Sequence, residues 1–355
     1  MKVYYQYSTN KVLPHTKGDF INELNMIDAL RRFATVYYSG VKVDWDAPNH
    51  GMKEYAGLPE NNVPQDCDLY YVRANKEVFN RIPKNRCKLW MASPFDEDCY
   101  RAADAIVTFS EAWARGLREA TPFGWIPPSG HVPRPHAVNM DQVVADRFVP
   151  QNNYQVRKIR RSTGGNFVIG HFGRIVKSNY PFAFLRAWPQ LIKTHPGIRL
   201  LVGSTRGKLP DGIPHVIQTT FPHESIPRAI SACDLIVMSN WGPEWDICGS
   251  GKAIEAAACG VPLLLGRSPG REELLGKDYE LFLPPLGGKP ADKIDAKRIF
   301  DAVDSVIKNP DRLKSIGSKL PARAEFYHTG AAVPRLDALF NRLIKEKAHE
   351  VGHAS

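Results

Sequence analysis

The chain has 355 residues and a formal net charge of +10, with 43% hydrophobic and 24% charged residues. This length allows two domains of ordinary size, and the composition excludes a disordered or fibrous protein. No apolar run approaches the roughly 18 residues that a membrane-spanning helix needs. The positive charge favours an anionic partner, such as a nucleotide, a nucleic acid or an anionic membrane surface, without choosing among them.

The N-terminal stretch MKVYYQYS begins directly with a strand pattern and lacks the apolar core of a signal peptide. The six cysteines show neither zinc-ligand nor CxxC spacing. We therefore expect a cytoplasmic protein with reduced, mostly buried thiols.

The first part of the chain shows a strand, helix and strand pattern over 2–7, 19–33 and 34–38. This pattern opens a parallel α/β sheet, in which loops at the carboxyl ends of strands bind ligands. Gly18, in the first such loop, would let the backbone approach a ligand closely, and a simple turn explains it equally well. Further buried strands are expected at 68–73, 88–91 and 105–110.

The run SPFDED at 93–98 places three carboxylates after one of these strands. Asp96 or Asp98 is a candidate base or a ligand for sugar hydroxyls. The alternative is a solvated helix start, where acidic residues are common.

The stretch 151–165 is rich in Asn, Arg, Lys and Gly and is the best linker candidate. After it the α/β alternation restarts and continues to an amphipathic helix at 333–347, and the residues beyond are expected to fray. The charged and polar composition of 151–165 therefore predicts a domain boundary.

A loop with Gly242, Gly249 and Gly251 follows the apolar strand at 235–238 and precedes the helix pattern KAIEAAA. The unpaired N–H groups and partial positive charge of a helix N-terminus suit a diphosphate. Glu255, one turn into that helix, could hold ribose hydroxyls. The alternative is an ordinary surface loop, and GSGK alone does not satisfy the Walker pattern.

Several segments of the second half together resemble the carboxyl domain of retaining, nucleotide-sugar-dependent GT-B glycosyltransferases of the group 1 type. The resemblance is carried by IGHFGRIVK at 169–177, by the segments 198–204 and 215–240, and by EAAACGVP at 255–262. Residues 103–111, 138–141 and 148–150 match the amino domain more loosely.

This resemblance implies an α/β GT-B fold, with two Rossmann-like domains whose parallel sheets face a central cleft. Residues 1–150 would form the acceptor-side domain and residues 166–332 the nucleotide-sugar domain. The helix within 333–355 would pack back on the N-terminal domain.

The resemblance also implies that a basic pair, Arg174 and Lys177, neutralises the leaving diphosphate without a metal or a cofactor. Glu255 matches the family glutamate that holds ribose hydroxyls. Its partner should lie eight residues earlier, where this chain has Ile247. Glu244 or Asp246 is then the candidate replacement. The backbone at Gly249, Ser250 and Gly251 and the amide of Lys252 would cradle phosphate. Gly18, in the loop after the first strand, and Gly173 are further donor-binding candidates.

Candidates on the acceptor side are His15, His136 and Asp96. The acceptor could be modified DNA, a polysaccharide or a lipid-linked glycan at an anionic surface. A nucleotide-sugar epimerase and a catalytically silent sugar-nucleotide-binding protein remain alternative functions.

Overall fold

The structure is a computed structural model. It describes residues 1–6, 18–39, 63–73, 75–92, 96–120, 133–173, 175, 182–204, 207–238, 250–284 and 293–354, without the side chains of 18–22, 182, 293 and 354. The chain divides into two compact units, Met1–Ala145 with Tyr327–Ser355 and Asp146–Phe326.

Each unit contains a parallel sheet. The strands of the first are β1 (Lys2–Gln6), β2 (Thr35–Ser39), β3 (Leu69–Val72), β4 (Cys87–Met91), β5 (Ala105–Thr108) and β6 (Ala137–Asn139). Those of the second are β7 (Phe167–Phe172), β8 (Ile198–Gly203), β9 (Val216–Thr219), β10 (Leu235–Met238), β11 (Leu263–Gly266) and β12 (Phe282–Leu283).

Helices connect and cover these strands. In chain order they are α1 (Gly18–Arg31), α2 (Lys76–Arg81), α3 (Glu97–Ala102), α4 (Glu111–Glu119), α5 (Tyr154–Thr163), α6 (Phe182–Thr194), α7 (Ile226–Ser231), α8 (Gly251–Ala258), α9 (Pro269–Leu275), α10 (Lys293–Lys308), α11 (Pro310–Ala324) and α12 (Thr329–Ala354).

The strands of the N-terminal unit lie in the order β2-β1-β3-β4-β5-β6. Strands buried on both faces read as apolar runs, and LYYV in β3 and AIVT in β5 are buried throughout. The terminal helix α12 belongs to this unit. The ring of Phe340 packs edge-on against Phe33, with ring centroids 6.3 Å apart, and Lys347 Nζ lies 2.8 Å from Asp104 Oδ1.

Helix α12 extends to Ala354, so the expectation that residues 348–355 fray is wrong up to that residue. Lys347 Nζ lies 3.6 Å from Glu350 Oε2, one turn further along the helix. Side-chain pairs at this spacing stabilise a helix.

The expected linker at 151–165 is also corrected, because α5 fills most of it. Asn153 caps the helix by accepting from the Val156 amide at 3.1 Å, and Gly164 ends it in the left-handed conformation at φ 66°. Arg160 Nη1 lies 2.7 Å from Asp234 Oδ2. These caps and this ion pair hold a helix whose own residues are mostly polar.

The C-terminal sheet has the strand order β12-β11-β10-β7-β8-β9, which is the doubly wound Rossmann order. Gly170 in β7 lies against the neighbouring strand. A Cβ there would be 2.6 Å from Ile236 Cδ1, 2.7 Å from Cys233 Sγ and 2.8 Å from Phe172 Cε2. The close approach of these buried side chains therefore requires a glycine.

Gly170→Ala is expected to destabilise the protein by about 1–3 kcal/mol, the usual cost of overpacking a core. The measurement is the urea unfolding midpoint, followed by circular dichroism. Gly352→Ala is the matched control, because a Cβ at Gly352 meets nothing within 4 Å. An unchanged midpoint for Gly170→Ala would contradict the packing argument.

Candidate functional site

The strand order of the C-terminal sheet reverses between β7 and β10. The chain runs from β7 through β8 to β9 on one side, and from β10 through β11 to β12 on the other. In open α/β sheets, ligands bind at this switch point, in the crevice outside the carboxyl ends of the strands.

The two central strands separate at that end. β10 pairs with β7 at Leu235↔Ile169 and Ile236↔Gly170, whereas β7 continues to pair with β8 as far as Phe172↔Gly203. The crevice therefore opens two residues before β7 ends.

Gly173 forms the turn out of β7 into the crevice. Its φ is 143°, a conformation that favours glycine, and its amide donates to the Gly203 carbonyl at 2.9 Å. The next residue is Arg174, which lies with Lys177 outside the described residues. The turn places the start of the Gly-Arg loop at the switch point.

Helix α8 follows β10 in the chain and leads into the parallel strand β11, so its N-terminus lies at the carboxyl end of the sheet. Ser250 precedes its first residue, is 6% exposed and makes no side-chain capping bond, and the first turn holds no acidic residue. The first-turn amides of Gly251 and Lys252 thus keep the partial positive charge of a helix N-terminus. This arrangement suits a diphosphate.

Glu255 lies one turn inside α8 and is 3% exposed. Lys252 Nζ is 2.7 Å from its Oε2. Burying a carboxylate is costly unless it is paired, so Lys252 stabilises Glu255 in the free protein. The carboxylate also retains an oxygen that can accept ligand hydroxyls.

Sequence reasoning assigned no role to His171, although it stands inside the motif at 169–177. Its side chain is 3% exposed, and its Nδ1 lies 3.3 Å from the Val237 carbonyl, bridging the gap where β7 and β10 separate. Burial lowers the pKa of His171 to about 4, so the imidazole is neutral at pH 7. Since the Nδ1–H donates to the carbonyl, Nε2 is an acceptor, and among the described residues it has no hydrogen-bond partner.

His171 should make stability depend on pH. An unfolded chain binds its proton near the ordinary pKa of 6.5, whereas the folded protein binds it only near 4. Stability should therefore fall as pH drops from about 6.5 to about 4, by on the order of 1 kcal/mol per pH unit. Urea unfolding at pH 7 and pH 4.5 measures this. His171→Asn should lose that part of the dependence, and an identical pH dependence in both proteins would contradict it.

The donor-side candidates fall into three groups. The structure brings Gly173, Ser250, Gly251, Lys252 and Glu255 to the same end of the C-terminal sheet, as the preceding geometry describes. Glu244, Asp246 and Gly249 lie outside the described residues, as does His15 on the acceptor side. Gly18 is the first residue of α1, in the N-terminal unit.

Two acceptor-side candidates have structural bonds within the N-terminal unit. Asp96 caps α3 by accepting from the Cys99 amide at 3.0 Å, and it lies 3.5 Å from Lys76 Nζ. His136 Nε2 lies 3.0 Å from the Tyr100 carbonyl of the same helix. Their role toward an acceptor stays a prediction.

The N-terminal sheet has its own switch point, between β1 and β3. A buried cluster that sequence reasoning missed lies there: Glu23 of α1 accepts from Tyr5 and forms an ion pair with Arg73. Glu23 is 1% exposed, and burial, together with this carboxylate, raises the pKa of Tyr5 well above its usual value. The Arg73 amide also donates to Gln6 Oε1 at 3.2 Å.

Part of the chain is similar to a known protein family. Residues 166–309 match the family described as "Glycosyl transferases group 1". A GDP-mannose-dependent alpha-(1-6)-phosphatidylinositol monomannoside mannosyltransferase of Mycolicibacterium smegmatis is 28% identical over 60% of this chain and 55% of its own length. A D-inositol 3-phosphate glycosyltransferase of Corynebacterium jeikeium is 25% identical over 56% of this chain and 49% of its own. The chain thus spans about half the length of these relatives.

Solved structures resemble nearly the whole chain. HepE of Anabaena, in complex with UDP and glucose, superposes with a TM-score of 0.70 at 14% identity, covering 96% of this chain and 99% of its own. Sucrose-phosphate synthase of Thermosynechococcus elongatus gives 0.68 at 13% identity, covering 97% and 99%. At such identities the likeness concerns the fold. In the part of the chain that the structure describes, no helix has the length and apolarity to span a membrane.

Proposed function

We propose that this chain, whose residues 166–309 match the family described as glycosyl transferases group 1, transfers a sugar from a nucleotide diphosphate donor to a hydroxyl acceptor. The observation that carries the proposal is the switch point of the C-terminal sheet. There the Gly173 turn and the N-terminus of α8, with the buried Glu255 one turn inside it, lie at the carboxyl end of the sheet, where such folds bind ligands.

The donor diphosphate would lie across this crevice. The amides at the start of α8 would face the phosphates, and Glu255 would accept hydrogen bonds from the ribose hydroxyls. The Nε2 of His171 offers a further acceptor for a donor hydroxyl, because it is buried and has no hydrogen-bond partner in the part of the chain that the structure describes. When the ribose hydroxyls bind Glu255, the ion pair with Lys252 would weaken, because the Lys252 side chain is 29% exposed and can be solvated.

In the reaction, the bond between the sugar C1 and the diphosphate oxygen breaks while the acceptor oxygen forms a bond to C1. The departing diphosphate gains negative charge, which Arg174, Lys177 and the α8 dipole stabilise without a metal ion. The acceptor proton passes to the departing phosphate on the same face of the sugar. This front-face course retains the anomeric configuration and needs no separate base.

Two features bear on the donor and the acceptor. HepE binds UDP and glucose, and the mycobacterial relative is named for GDP-mannose, so both UDP- and GDP-sugars are candidate donors. Both curated relatives are named for inositol-based acceptors, and a net charge of +10 favours an anionic one. The acceptor classes to test are inositol phosphates and lipids, polysaccharides, and hydroxymethylated DNA.

The first experiment is a donor panel on the full chain in the presence of EDTA. UDP-, GDP-, ADP- and CMP-sugars would be compared by thermal shift and by released nucleotide. We expect one nucleotide class to raise the melting temperature and to be hydrolysed slowly. If no donor stabilises the protein, the enzyme proposal fails and a silent binding protein replaces it. An altered sugar on intact donor would instead identify an epimerase.

A further inference from the structure

Two histidines face each other near the C-terminal end of α12. His349 and His353 are four residues apart, which places both rings on one side of the helix. Their Nε2 atoms are 3.0 Å apart and their ring centroids 4.2 Å apart, and both side chains are exposed. In the free protein one ring must donate a single proton to the other. A cation in place of that proton would engage both nitrogen lone pairs.

The distance between the two nitrogens fits a chelate. Metal–imidazole bonds of about 2.0–2.1 Å separate two nitrogens by roughly 2.9 Å at a right angle and by roughly 3.3 Å at the tetrahedral angle. The observed 3.0 Å is nearer the right-angle value. Right angles between ligands are typical of tetragonal Cu²⁺ and Ni²⁺, and Cu²⁺ binds nitrogen ligands most tightly among the divalent first-row metals.

Two exposed carboxylates lie within one turn of His349. Glu346 Oε1 is 3.9 Å from Arg342 Nε, and Glu350 Oε2 is 3.6 Å from Lys347 Nζ, so the carboxylates offset the nearest cations. The helix beneath them is anchored, because Leu343 is 5% exposed and Lys347 Nζ is 2.8 Å from Asp104 Oδ1.

We propose that His349 and His353 form a binding site for one divalent transition-metal cation of the Cu²⁺ class, with water in the remaining coordination positions. Residues 349–353 read HEVGH, the HExxH pattern whose two histidines bind zinc in metalloproteases. Catalytic zinc sites use a third protein ligand. No cluster of three or more His, Cys, Asp or Glu residues is placed to hold a metal in the described ranges, so this is a two-histidine site and not a protease centre.

The test is a titration of the full chain with Cu²⁺ in a non-coordinating buffer, followed by calorimetry and by electron paramagnetic resonance. The wild type should bind one Cu²⁺ per chain at this site, with two nitrogen ligands in the spectrum. His349→Ala and His353→Ala should each weaken binding by at least about tenfold, because even the loss of a residue that only orients a metal ligand costs that much. Both residues are exposed, so the fold should not change.

The double variant V351H with H353V is the matched control. It keeps the number of exposed histidines but moves them two residues apart, where helix side chains do not face each other. It should bind Cu²⁺ as weakly as His353→Ala. Wild-type affinity in this variant, or no loss of binding in His349→Ala, would overturn the proposal. The metal site does not depend on the glycosyltransferase function.

Discussion

Arg174→Ala is expected to lower kcat for donor cleavage by roughly 10²–10³-fold, the usual cost of removing one fixed donor from a transition-state anion. Arg174 follows the Gly173 turn at the switch point of the C-terminal sheet, where the diphosphate is proposed to lie. An arginine fork binds phosphate oxygens in pairs, so its loss should affect the transition state more than the bound donor. The measurement is the rate of nucleotide release from the donor that the panel identifies.

Arg186→Ala makes the same change of charge on the exposed surface of α6 and serves as the control. It should leave kcat unchanged, because the proposed effect depends on a positive charge beside the diphosphate and not on the net charge of the protein. Equal losses in both variants, or a kcat of Arg174→Ala within about threefold of the wild type, would refute the assigned role. A fold defect is detected separately by circular dichroism.

Glu255→Gln is expected to weaken donor binding by roughly 10- to 150-fold. Hydrogen bonds to a charged group contribute about 1.5–3 kcal/mol, and the neutral amide has one acceptor oxygen where the carboxylate has two. Stability should change little, because the freed Lys252 side chain is 29% exposed and can be solvated. Donor dissociation constants from calorimetry measure the effect.

Lys252→Met separates this role from a purely structural one. It keeps the backbone amide at the start of α8 but leaves the buried Glu255 carboxylate without its cation. Stability should fall, by less than the about 3–5 kcal/mol of a fully buried pair, because Lys252 is partly exposed. Donor affinity should fall less than in Glu255→Gln. If the two variants lose affinity equally, Glu255 serves only to pair with Lys252.

The architecture was largely readable from the sequence. Buried parallel strands appear as short apolar runs, and the strand expected at 235–238 matches β10 residue for residue. Their alternation with amphipathic helices predicts a Rossmann-like order. The expected GT-B fold, with two Rossmann-like halves, is confirmed.

A polar composition predicts a linker wrongly where contacts between residues distant in sequence stabilise a helix. The stretch at 151–165 looks like a linker because α5 has few apolar residues, but its ion pair between Arg160 and Asp234 spans 74 positions of the chain (234 − 160). The only local signals were the capping residue Asn153 and the terminating Gly164.

Within the site, the start of α8 could be inferred from the sequence, because a strand, a glycine-rich loop and a helix pattern follow each other along the chain. Gly173 was predicted only through its place in the Gly-Arg motif of the GT-B resemblance. The buried pair of Glu23 and Arg73 could not be inferred, because its members come from α1 and the end of β3. Only the position of β3 beside β1 brings them together.

The sequence by itself determined the alternating α/β architecture and the helix that carries Glu255. These follow from periodicity and backbone geometry, which act over a few residues. The tertiary structure alone decided that β7 and β10 separate after Gly170 and Ile236, and that His171 spans the gap with a buried acceptor nitrogen. Strand order and burial arise from contacts between distant segments, and the chemistry of a buried imidazole depends on what those segments place around it.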